Sequence, residues 1–88
     1  MIPQWHRSRE NSQLSHTQVA CIRFIQDNPV FTKSELETFV RRRVGVVDPM
    51  AALVRLRSRG LVCFEYAYGR YHVYDIAKEI RIDKEAGQ

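Results

Sequence analysis

The sequence predicts a small α+β domain: three short helices followed by a two-stranded β-hairpin. Three observations predict it. Two capping-box signatures, Ser15-x-x-Gln18 and Thr32-x-x-Glu35, each open an apolar stripe at helical spacing. Asp48-Pro49 and Gly60 bracket a third helical stretch with an acidic cap, a first-turn proline and a terminal glycine. Directly after Gly60 the apolar period changes from helical to alternating.

Residues 1–13 are polar apart from Ile2 and Trp5 and read as an N-terminal arm; residues 14–82 form the domain and 83–88 a frayed tail. The first helix carries Val19, Ile22 and Ile25, widened by Cys21 and Phe24. Asn28-Pro29 stops it, because the residue before a proline is pushed out of helical backbone space. Val30 and Phe31 make an extended link with room for one small strand. The second helix presents Leu36, Phe39 and Val40 and runs into Arg41-Arg42-Arg43, cations that favour a helix C-terminus. Val44 to Val47 form a turn around Gly45. The third helix, residues 49–59, turns Leu53 and Leu56 inward. Leu61 to Tyr66 read as a strand, Ala67-Tyr68-Gly69-Arg70 as a tight connection, and Tyr71 to Tyr74 as the returning strand. From Ile76 to Ile82 either a short helix or a further strand fits.

Composition narrows the function classes. With 88 residues, 44% hydrophobic and 27% charged, the chain has enough apolar surface for one core and is not disordered throughout. Its longest apolar runs fall far short of a membrane span of about 20 residues. Met1 to Trp5 lack the apolar centre of a secretion signal, so a cytoplasmic location is expected. Cys21 and Cys63 have apolar neighbours and no metal-knuckle spacing, which predicts two buried, reduced thiols. His6, His16 and His72 show no ligand spacing either. There is no glycine-rich phosphate loop, nucleophile turn or paired-carboxylate motif, so no catalytic activity, metal or cofactor is expected. The net charge is +4, and the positive charge concentrates centrally: six arginines lie between positions 41 and 59 against the single acid Asp48. An anionic partner fits that distribution.

At Phe31-Thr32-Lys33-Ser34-Glu35-Leu36, and again from Leu53 through Arg59-Gly60-Leu61-Val62, the chain resembles the winged helix-turn-helix domains of small DNA-binding regulators. The resemblance covers roughly residues 15–75. It implies that helix 49–59 lies in the major groove of double-stranded DNA, that helix 33–43 crosses behind it, and that hairpin 61–75 is the wing. It places Met50, Ala51, Val54, Arg55, Arg57 and Ser58 outward, with Arg55 in the groove and Arg57 at its edge. Arg55, Arg57 and Arg59 fan over about 200° of a helix and cannot share one groove. Arg41, Arg42 and Arg43 then either reach flanking phosphates or serve the helix end. Arg70 and Tyr68 at the wing tip, with Tyr71 beside them, are further contact candidates; Tyr71 also suits the hairpin's own apolar face. Arg7 and Arg9 are candidates for an arm in the minor groove. A homodimer paired through Ile76, Ile80 and Ile82 suits such a regulator, which would then be associated with the nucleoid.

The outward face departs from the family pattern, since base-reading positions usually hold hydrogen-bonding side chains and this helix offers Met50, Ala51 and Val54. The alternative is therefore a protein-binding domain, an adaptor or a small inhibitor of a nucleic-acid-handling complex, contacting its partner through Met50, Ala51, Val54 and Arg55.

Overall fold

The computed structural model describes residues 14–77. Their order is α1 (His16–Asp27), β1 (Val30–Phe31), α2 (Lys33–Val44), α3 (Pro49–Ser58), β2 (Val62–Ala67) and β3 (Arg70–Ile76). The three strands form one antiparallel sheet in the order β1-β3-β2. The result is a small α+β domain whose layout is compatible with a winged-helix arrangement.

Each helix starts where its capping chemistry dictates. Ser15 Oγ accepts from the Gln18 N–H at 3.0 Å while Gln18 Oε1 accepts from the Ser15 N–H at 2.9 Å. Thr32 and Glu35 repeat the exchange at 3.2 and 2.9 Å. Asp48 accepts from the Ala51 N–H, and Pro49 follows in the first turn, where its missing N–H leaves no backbone bond unmade. At the other end of α3, the Gly60 N–H donates to Arg57 O and the Leu61 N–H to Leu56 O. This is a Schellman closure, and Gly60 adopts the positive φ of 75° that it requires.

The core gathers one face from five of the six elements: Cys21, Ile22 and Ile25 from α1, Phe31 from β1, Leu36 and Val40 from α2, Leu53 and Leu56 from α3, and Val62 and Phe64 from β2; β3 adds the partly buried Tyr71, Val73 and Ile76. Ala20, Ala52 and Gln18 are buried as well. Val19 and Phe39, expected as full members of the apolar stripes, are only half-buried. Phe39 packs its ring 5.1 Å from Phe24 at the rim of the core. Cys21 donates its thiol to Pro49 O at 3.5 Å, joining α1 to the start of α3. Burial pushes that thiol's pKa up from 9.0 to about 12. Cys63, expected to be buried too, is half-buried, and both cysteines are free.

Two expectations about the hairpin are corrected. It is not a two-stranded unit, because Val30 pairs with His72 and Phe31 with Tyr71, so the link after α1 becomes the third strand. Pro29 lengthens the ladder by accepting from the Val73 N–H at 2.7 Å. The connection is also tighter than four residues: Ala67 pairs with Arg70, leaving a two-residue turn of Tyr68 and Gly69. Toward the base the register steps, with Phe64 opposite Val73 but Cys63 opposite Asp75. Tyr74 is thus the extra residue of a β-bulge. Strand β3 extends to Ile76, which packs half-buried against the core. Residues 78–82, and with them Ile80 and Ile82, lie outside the described residues, as do Trp5, Arg7 and Arg9 of the arm. Among the described residues no helix is long and apolar enough to cross a membrane.

Candidate functional site

The capped start of α3 fixes which of its residues reach solvent. With Ala52, Leu53 and Leu56 buried, helical spacing leaves Val54, Arg55, Arg57, Ser58 and Arg59 exposed. Val54 is 40% exposed, enough to contact a partner yet largely surrounded by its own helix. Met50 and Ala51 do not project as expected: both are half-buried, and Met50 packs against the core. Both sit in the first turn of α3, where Ala51 lines the cleft toward the start of α1.

Six of the eight arginines among the described residues divide into two groups. Arg41 belongs to the scaffold: its Nε donates to Val47 O at 3.2 Å, and its Nη1 lies 3.6 Å from Glu37. The hydrogen bond ties the last turn of α2 to the residue before the α3 cap, so Arg41 braces the interhelical turn. Arg43 lies over the Phe39 ring at 4.4 Å from its centroid. Arg57 lies over Phe64 at 4.5 Å and so covers the hairpin base, where a position at a groove edge was expected. Such contacts hold a cation by about 0.5–1 kcal/mol at exposed sites. Arg42, Arg55 and Arg70 are exposed and make no hydrogen bond, ion pair or ring contact among the described residues.

Arg55 borders a cleft of about 420 Å³ between the start of α1 and α3, whose walls include Thr17, Gln18, Val47, Asp48 and Ala51. Gln18 is buried, and its Oε1 is committed to the α1 cap. Beside the cleft, the turn between α2 and α3 presents Val46 fully exposed.

At the far end of the hairpin, Tyr68 and Gly69 both have positive φ, 54° and 77°. This is the backbone of the two-residue primed turns that match strand twist, in which asparagine, aspartate or glycine usually occupies the first position. Tyr68 is 98% exposed there. Tyr71, named beside it as a contact candidate, points inward and packs its ring 5.6 Å from Phe31, 6.0 Å from Phe64 and 4.7 Å from Tyr66. Sequence reasoning missed Tyr66 and Tyr74, which are 61% and 66% exposed. It also missed the contact of His72 Nε2 with Ala67 O at 3.1 Å, in which the nitrogen must carry the proton because a carbonyl only accepts.

Among the described residues no group of three or more histidine, cysteine or acidic side chains is placed to hold a metal. Comparison of the chain with protein-family models, with curated proteins and with solved structures finds no match.

Proposed function

We propose that this chain is a winged helix domain that binds double-stranded DNA, with α3 in the major groove and the β2–β3 hairpin as its wing. One observation carries the reading. Among the described residues, the exposed arginines that make no hydrogen bond, ion pair or ring contact lie on the elements such a domain applies to DNA: Arg55 on α3, Arg70 at the start of the returning strand, and Arg42 at the end of α2; the half-buried Arg23 on α1 is likewise unengaged and has no place in the reading. Arg55 suits base edges or the phosphate beside them, and Ser58 lies one turn further along the same exposed face. Arg42 and Arg70 suit phosphates, which fix register without reading sequence. No enzymatic step or cofactor enters this reading, and a dimer on spaced half-sites remains its natural assembly.

The test is an anisotropy titration against random duplex DNA at two salt concentrations. The affinity falls as salt rises, with a slope of about 0.9 per phosphate contact. Arg55→Ala removes most of the binding, whereas Arg70→Ala weakens all sequences alike and lowers the salt slope by about 1. No binding at low salt would overturn the reading.

A second reading has one observation of its own: Val46 stands fully exposed in the turn leading into α3, and Val54 is exposed on the helix itself. An adaptor or inhibitor docking through Val46, Val54 and Arg55 would bind its partner with little salt dependence, because apolar burial is not screened. The half-burial of Met50 and Ala51 reduces what they add to such a face. Val54→Ser separates the readings, since it removes an apolar contact without adding a charge that would repel phosphate.

A further inference from the structure

The hairpin has a second surface that duplex binding through α3 does not use. Phe64, Tyr71 and Val73 turn toward the core, so the alternate residues face the other way: Glu65 opposite His72, and Ala67 opposite Arg70. On this outer face lies an open groove of about 470 Å³ lined by Glu65, Ala67, Tyr68, His72 and Tyr74. We propose that this groove binds unpaired nucleotides, with the Tyr68 and Tyr74 rings as stacking surfaces, the Glu65 carboxylate as acceptor for a base amino group, and Arg70 beside a phosphate. The proposal extends the nucleic-acid reading above from duplex to single strand but does not depend on α3.

The Tyr68 ring is placed at a structural cost. Tyr68 sits at φ 54°, where a residue other than glycine, asparagine or aspartate is strained, and its ring is 98% exposed, so packing does not explain it. Tyr74 lies on the outer face by strand alternation with Arg70 and His72, and as the unpaired residue of the bulge between the Phe64–Val73 and Cys63–Asp75 pairs it is 66% exposed. Tyr74 is four residues from Arg70 along β3, about 13 Å of extended strand. The groove is therefore long enough for more than one nucleotide and too shallow and open for a globular partner's core residue to be enclosed.

Charge decides which part of a nucleotide goes where. Glu65, in the middle, repels phosphate and accepts from exocyclic amines such as cytosine N4. Arg70, at the tip end and without a hydrogen bond, ion pair or ring contact among the described residues, attracts phosphate. The Nε2–H of His72 is held by Ala67 O, which fixes the ring as part of the groove floor. Base–aromatic stacking tolerates any base, whereas the carboxylate favours bases that donate.

The experiment compares a blunt duplex with the same duplex carrying a single-stranded cytosine overhang, and with a free cytosine oligonucleotide, by anisotropy. The overhang is expected to bind at least about fivefold tighter, the low end for one base–aromatic stack. Tyr74→Ala removes that advantage and leaves blunt-duplex affinity and the circular-dichroism spectrum unchanged. A thymine overhang gains less than a cytosine one, and Glu65→Ala erases the difference. Equal binding of blunt and overhang duplexes overturns this proposal and leaves the duplex reading standing. An advantage that survives in Tyr74→Ala also overturns it. Binding of the free oligonucleotide without the duplex supports the groove and overturns the duplex reading; binding of neither overturns both.

Discussion

The two ends of the hairpin are built on different physics. At its base, Val62 and Phe64 are buried against the helices, Ile76 packs beside them, and Arg57 covers the Phe64 ring. At its tip, Tyr66, Tyr68 and Arg70 are exposed, and the conformation rests on strand pairing, a two-residue turn, the Tyr66–Tyr71 ring contact and the His72–Ala67 hydrogen bond. The base thus owes its geometry to the core and tolerates little substitution. The tip owes its geometry to local backbone and leaves its side chains available for a partner. Recognition groups placed on such a tip can vary without endangering the fold that presents them.

Substitutions can break or sharpen this contrast. The largest effect is expected from Phe64→Ala, which empties a core site and strips Arg57 of its ring. It destabilises by about 3–5 kcal/mol in urea denaturation, whereas Tyr66→Ala, two residues away, costs less than about 1 kcal/mol. Equal losses would show that the tip belongs to the core.

The two thiols extend the comparison to pH and reactivity. Cys21 has a folded pKa of about 12 against an ordinary 9.0. Its neutral form is favoured in the native state, so its contribution is complete below pH 9 and is lost as pH climbs from about 9 toward 12. Cys21→Ala should flatten that alkaline decline in a denaturation series. In native protein, a thiol reagent should modify the half-buried Cys63 well before Cys21.

Gly69→Ala probes the turn. An added Cβ meets nothing within 4 Å, so the cost comes from φ 77° alone and is about 1–2 kcal/mol. The smallest effect is expected from Tyr68→Asn, which suits the positive φ at that position. It raises stability by up to about 1 kcal/mol, the low end of the strain on such a residue, and removes the ring. If Tyr68→Asn instead lowered stability, the exposed ring would have an intramolecular role.

The helices were legible residue by residue, since Ser15–Gln18, Thr32–Glu35 and Asp48–Pro49 act within a few positions and need no distant partner. Of the proposed contact residues, Arg55 could be named from spacing because its segment was correctly read as helix; Arg70 was named as the end of the hairpin connection, whereas it is the first residue of β3. Arg41, Arg43 and Arg57 could not be told from them in a string of letters. What separates them is Val47 O, Phe39 and Phe64, and only folding brings the first and last of those into place. Tyr74 was missed for a similar reason: alternation puts it on the face opposite Tyr71 and Val73, and only folding decides which of the two faces the core covers.

By itself the sequence determined where helices start and stop, which residues alternate in the hairpin, and that positive charge gathers between positions 41 and 59, because each depends on near neighbours. The tertiary structure decided that Val30 and Phe31 join the sheet, that Met50 turns inward, that three arginines are tied to the scaffold while Arg42, Arg55 and Arg70 are not, and that Tyr68 and Tyr74 share one groove. Those outcomes turn on pairing register, on how one element packs on the next, and on which rotamer each side chain takes, none of which is written in the residue types alone.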